Sequence, residues 1–158
     1  MERLWAPWRG SYVTNAGSHG GCFLCAAAEG NDPLVVARDP ATVTLLNRYP
    51  YNPGHLMVAP IEHVNDLLAA GDDGAAALMV AARRAMRALQ AAMGPDGFNV
   101  GVNQGAAAGA SVEHVHVHVV PRWAGDTNYM PVVGGTKVLP ELLEETAVRV
   151  RAAFAGLE

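Results

Sequence analysis

The chain has 158 residues, of which 51% are hydrophobic and 16% charged, a composition that suits a folded globular protein and excludes a disordered one. A net charge of −4 provides no broad basic surface, so no nucleic-acid partner is expected and any nucleotide must be held by a local site. There is no apolar run of membrane-spanning length, and the opening residues Met1 to Arg9 lack the apolar core of a signal peptide, so the expectation is a single cytoplasmic domain over residues 1–158 with no membrane partner.

Residues 1–20 carry Trp5, Trp8 and Tyr12 without sustained periodicity, and read as an N-terminal arm whose tryptophans pack onto the domain or a partner subunit. Cys22-Phe23-Leu24-Cys25 contains both cysteines of the chain, too few for a disulfide scaffold. A redox pair belongs between a strand and a helix, and no strand precedes this one. A zinc site needs two further ligands, for which His63 and His114 are the candidates. With Cys22 and Cys25 they would form a closed Cys₂His₂ site of the structural kind. The alternative is two free buried thiols and a surface His63.

Residues 34–38 and 42–47 read as strands joined by a turn at Asp39-Pro40. Tyr49-Pro50-Tyr51-Asn52-Pro53-Gly54 is a turn-rich connector, because two prolines and a glycine cannot continue a strand interior. Residues 55–59 follow as a third strand. Asp72 or Asp73 is positioned to cap a helix running to about Met93 and ended by Gly94-Pro95. Its apolar stripe, Leu78, Ala82, Ala85, Leu89 and Ala92, predicts packing against a sheet. Residues 98–103 alternate as a half-buried strand, with Asn99, Gly101 and Asn103 on the polar face. They feed a loop of small residues, through Gly105, Gly109 and Ala110 to Ser111, where backbone N–H groups can approach an anion closely.

Half of the six histidines then fall in His114-Val115-His116-Val117-His118. Successive strand side chains point to opposite faces, so a strand here puts the three histidines on one face and the valines on the other, with like neighbours roughly 7 Å apart. Three imidazoles in a row are a polar strand face with no role, a metal site, or a nucleophile beside a phosphate contact. Residues 124–158 read as a C-terminal extension. It has a Gly-rich loop bearing Gly134-Gly135-Thr136-Lys137, where Lys137 is solvated or reaches a distal phosphate, and then a helix with Pro140 in its first turn. Leu143, Ala147, Val150 and Phe154 form that helix's apolar stripe; Glu141, Glu144 and Glu145 near its start and Arg149 and Arg151 near its end suit the helix dipole.

His114 to Val120 resembles the His-φ-His-φ-His-φ-φ signature of the histidine triad superfamily of nucleotide hydrolases and transferases. Leu46 to Val58 resembles that family's second block and Asn103 to Ser111 its phosphate loop, so the similarity covers roughly residues 20–125. The opening Leu4-Trp5-Ala6-Pro7-Trp8-Arg9 is similar to the bacterial diadenosine tetraphosphate phosphorylase-like branch. The resemblance implies an α+β fold, a mostly antiparallel sheet with one long helix across it and a C-terminal helix, and a homodimer. It implies nucleotidyl transfer from the α-phosphate of a dinucleoside polyphosphate through a nucleotidyl-histidine. His116 would be the nucleophile, with His118, His55, Asn103 and Ser111 around the phosphates and Asn47 at the ribose. The C-x-x-C implies structural zinc on Cys22, Cys25, His63 and His114, and no organic cofactor. Many family members have Gln at Ala110; the phosphorylase-like branch has a small residue there and a Trp like Trp123. That departure favours inorganic phosphate as acceptor over water. A nucleoside phosphoramidase, a dinucleoside polyphosphate hydrolase and a nucleotide-binding module without turnover are the alternatives.

Overall fold

The computed structural model describes residues 21–127, 133 and 140–157; the N-terminal arm with Trp5 and Trp8, and Lys137 with its glycine-rich neighbours, lie outside them. The elements are α1 (Phe23–Glu29), β1 (Val35–Arg38), β2 (Thr42–Leu46), β3 (Leu56–Pro60), α2 (Leu67–Met93), β4 (Gly97–Val102), β5 (Val117–Arg122) and α3 (Leu143–Ala155). The strands form a five-stranded sheet in the order β1-β2-β3-β5-β4, every neighbouring pair antiparallel. This is the expected α+β arrangement. No helix among the described residues is long and apolar enough to cross a membrane.

Strand periodicity divides the apolar residues between two layers. Leu56 and Val58 of β3, with Val115, Val117 and Val119, face Leu78, Ala82, Ala85 and Leu89 of α2 and Ala147, Val150 and Phe154 of α3. Val43 and Leu45 of β2, with Met57 and Ala59 of β3, face Leu24 and Ala27 of α1. All residues of β2 and β3 are buried, which explains why their sequences run apolar without clean alternation. Helix α1 is absent from the sequence reading: its seven residues are too short for a periodic stripe, and burial of Leu24 and Ala27 stabilises it instead.

Several boundaries differ from expectation for identifiable reasons. The fifth strand begins at Val117, so His114 and His116 precede the ladder; Val115 N–H instead donates to the Val64 carbonyl at 2.8 Å. Helix α2 starts at Leu67, where the Asp66 carboxylate caps Ala69 N–H at 2.8 Å, and Gly71 (φ 66°, ψ −179°) breaks it just before the anticipated start. Its end at Gly94, a left-handed C-cap, is where Gly94-Pro95 placed it. Pro140 lies ahead of α3, not in its first turn. Arg149 and Arg151 are not dipole partners in the last turn: Arg149 pairs with Glu141 at 2.7 Å, and Arg151 donates to the Pro33 and Val35 carbonyls, tying α3 to β1.

The connector before β3 closes as a type II turn. His55 N–H donates to the Asn52 carbonyl at 3.1 Å, Pro53 supplies the fixed φ of the first central position, and Gly54 takes φ 77° at the second. A Cβ on Gly54 would also lie 2.6 Å from Met93 Sδ and 3.2 Å from Leu89 Cδ2, so this turn is held tightly against α2. Gly54→Ala therefore lowers stability by about 1–3 kcal/mol, read as a fall in the urea midpoint; an unchanged midpoint would contradict this account of the turn.

Candidate active site

Strand β5 lies between β3 and β4, and its register brings His118 opposite Met57 on one side and Gly101 on the other. Cross-strand partners share a face, so His118 stands on the face away from α2 and α3, and Gly101 leaves open space beside it. The His116 and His118 rings are 4.8 Å apart, edge to face. With Asn47, Tyr51, Met57, Asn103, Gly109, Ala110 and Ser111 they line one cavity. A wider cleft of about 680 Å³ adjoins it, sharing Asn47, Met57 and Ser111 and extending past Phe23, Leu45 and Tyr49. That volume is on the scale of small-molecule sites, about 300–1,000 Å³.

Hydrogen bonds decide the tautomer of each imidazole. His116 Nδ1 lies 2.9 Å from the His114 carbonyl, which can only accept, so Nδ1 carries the proton and Nε2 the lone pair. Burial pushes this imidazole below its ordinary pKa, so it stays neutral where a free histidine begins to protonate. His55 Nδ1 accepts from Tyr51 N–H at 3.0 Å; the His55 proton is therefore on Nε2, which donates to His118 Nδ1 at 2.9 Å. His118 consequently carries its own proton on Nε2. The pair of imidazoles at the cavity thus offers one lone pair and one donor.

His55 lies beside the histidine row, as expected, against His118. It is fully buried, with its Nε2 against His118 Nδ1, and is not among the residues that line the cavity. The other residues expected around a nucleotide, Asn47, Asn103, Gly109, Ala110 and Ser111, all line the cavity. Gly109 closes the short helical turn Ala106–Ala108 with φ 88°, and a Cβ there would lie 3.8 Å from Asn103 Nδ2. Tyr51 is a site residue that sequence reasoning missed. Its ring lies tilted against His55 and His118, with centroids 4.5 and 5.7 Å away, and nothing in a turn-rich connector indicates such a contact.

Cys22, Cys25, His63 and His114 gather on the same side of the sheet, with one potential ligand atom from each within 4.8 Å of the others. Cys22 precedes α1 and Cys25 lies in its first turn; His63 follows β3, and His114 is fully buried. His114 Nε2–H donates to the Pro60 carbonyl at 3.0 Å, which turns a bare Nδ1 towards Cys22 Sγ at 3.2 Å and Cys25 Sγ at 3.5 Å. Cys25 Sγ is also 3.2 Å from His63 Nδ1. Tetrahedral zinc with thiolate and imidazole ligands sets sulfur–nitrogen separations of about 3.5 Å, so this donor set fits such an ion. Burial pushes the Cys25 thiol pKa up, and a bound cation is what would hold it as thiolate.

A HIT domain family model matches residues 29–125 of the chain. The chain is 42% identical over 157 residues to the AP-4-A phosphorylase of Mycobacterium tuberculosis (strain ATCC 25618 / H37Rv), an alignment covering 92% of this chain and 80% of that protein. Among solved structures, a Zn-bound histidine triad family protein from Mycobacterium smegmatis superposes with a TM-score of 0.75 at 31% identity, over 87% of this chain and 95% of that one. A hypothetical histidine triad nucleotide-binding protein from Sulfolobus tokodaii strain7 gives 0.72 at 26% identity, over 86% and 93% of the two chains. With imidazole geometry, fold and sequence in agreement, the chain belongs to the HIT domain family.

Proposed function

We propose that this chain is a nucleotidyltransferase that splits a dinucleoside polyphosphate at its α-phosphate, with inorganic phosphate as acceptor, as a diadenosine tetraphosphate phosphorylase does. The observation that carries the reading is the neutral His116, whose Nδ1–H is held by the His114 carbonyl so that its lone pair resides on Nε2, in a cavity shared with His118, Asn103 and Ser111. The 42% identity to an AP-4-A phosphorylase supports the choice of substrate.

In this mechanism His116 Nε2 attacks the α-phosphorus in line, and the distal polyphosphate leaves with the bonding electrons, giving a nucleotidyl-histidine. The His118 Nε2–H and Asn103 donate to non-bridging oxygens, where negative charge accumulates. Ser111 donates to the leaving phosphate, Asn47 holds the ribose, and the Gly109-Ala110 backbone lets the phosphates approach closely. An oxygen of inorganic phosphate then takes the nucleotide, and His116 leaves as neutral imidazole. From diadenosine tetraphosphate the products are ATP and ADP.

The reading includes a zinc ion on Cys22, Cys25, His63 and His114. With four protein ligands the ion is structural: it stabilises the fold and performs no step. A homodimer is also part of the proposal; β4, whose only sheet partner among the described residues is β5, exposes Asn99, Val100 and Gly101 along an edge that a second copy can pair with.

Diadenosine tetraphosphate incubated with the protein and phosphate should yield ATP and ADP, whereas ATP with AMP, unaffected by phosphate, would point to hydrolysis and overturn the acceptor. His116→Ala should reduce turnover by roughly 10³-fold or more and remove the nucleotidylated species seen by mass spectrometry of the quenched reaction. Turnover that survives this substitution indicates that His116 only contacts nucleotide. Chelation should release one zinc per chain and lower the melting temperature by about 10 °C or more; a metal-free protein with an unchanged melt would remove the zinc site from the account.

A further inference from the structure

The His55–His118 hydrogen bond can be made in two ways. In one, His55 Nε2–H donates and His118 keeps a proton on Nε2. In the other, His118 Nδ1–H donates, His55 carries its proton on Nδ1, and His118 offers a bare Nε2. The two arrangements have the same ring positions and opposite consequences: the first gives an anionic phosphate a donor, the second a repelling lone pair. Tyr51 N–H, 3.0 Å from His55 Nδ1, selects between them, because the second arrangement would put two N–H groups face to face. The position of one backbone amide therefore decides what His118 presents.

That amide is held from outside the site. Asn52, next in the chain and only 5% exposed, accepts His55 N–H through its carbonyl, while its side-chain Nδ2 donates to the Pro121 carbonyl at 3.0 Å and to Asp126 Oδ2 at 2.7 Å. The amide cannot flip, since Oδ1 would then meet two acceptors. Asp126 is in turn fixed by the Arg122 guanidinium, through Nε to Oδ2 at 2.6 Å and Nη2 to Oδ1 at 2.8 Å, and by Trp123 N–H at 3.2 Å. Hydrogen bonding to Arg122 holds the Asp126 carboxyl well below the usual carboxylate range, so it remains an acceptor at any working pH. Arg122 closes the assembly by donating to Asn99 Oδ1 of β4 at 2.7 Å.

We propose that Asn52 and Asp126 are positioning residues that set the tautomer of the His55–His118 pair: the end of β5 clamps the Tyr51-Asn52 turn, so the strand that carries His118 also fixes the amide that orders its proton. The consequence for catalysis rests on the nucleotidyl-transfer reading above; the tautomer itself does not.

The test is imidazole ¹⁵N NMR on uniformly labelled, nucleotide-free protein, comparing the native chain with Asn52→Ala and Asp126→Asn. The native His118 should show a protonated Nε2 and a bare Nδ1, and in folded variants these signals should shift towards an exchange average. The catalytic counterpart is a fall in kcat of about tenfold to a hundredfold, as misplacement by a distant substitution produces, with KM changed less than about threefold. Variants that melt as native and keep the native His118 pattern would overturn the inference. So would a native protein with the reverse tautomer, or loss of folding in both variants, which would mark the contacts as general supports of the fold. If the NMR shifts appear but no nucleotidyl transfer is found in the native protein, the positioning role stands and the proposed function falls.

Discussion

The period of two through residues 114–119 is the constraint on which the site depends. Val115, Val117 and Val119 are buried under α2 and α3, and each fully buried valine contributes roughly 1.5–3 kcal/mol. With the valines committed to that side, His114, His116 and His118 must emerge on the opposite one. A slip of one residue would bury three imidazoles among alanines and leucines and expose the valines, so the register is specified by the core and the site receives it without cost.

From that common face the three histidines take separate tasks, because their second nitrogens find different partners. His114 gives Nε2–H to the Pro60 carbonyl and turns Nδ1 towards the cysteines. Its own carbonyl then receives His116 Nδ1–H. One residue therefore belongs to both constellations, the side chain to the cluster with Cys22, Cys25 and His63 and the backbone to the cavity. His118 is ordered by His55 and, through it, by a backbone amide of the connector. The hydrogen bonds to His114, His116 and His118 give each ring its own tautomer.

The surroundings hold these groups on rigid supports. The cavity is built from the middle of the sheet, the type II turn before β3 and the glycine-bounded loop after β4, and the wider cleft opens beside it between α1 and the connector. Gln104 links that loop to the start of α2, its side-chain oxygen accepting Leu67 N–H at 3.1 Å. That loop is thereby tied to the longest helix of the fold, which limits its freedom before any ligand binds.

The sequence by itself determined the parts whose signal is local. The valine-spaced histidines, the stripe from Leu78 to Leu89, the Gly94 stop and the Asn52-Pro53-Gly54 turn are all patterns within a few residues, and each is found where the pattern put it, except that the ladder takes up only His118 of the three histidines. The four residues Cys22, Cys25, His63 and His114 were named as a set because a C-x-x-C needs two further ligands for zinc and the family resemblance implied these two, although nothing in their spacing brings them together. Tertiary structure alone decided the rest: that α1 forms on the far side of the sheet, that His55 lies behind His118, and that Tyr51 covers both. It also decided that Asp126, 74 residues from Asn52, ends beside it. These contacts cross between strands and loops far apart in the chain, where no periodicity reports them. Which nitrogen of a histidine carries its proton depends on the neighbours that folding supplies, and a string of letters contains no neighbours of that kind.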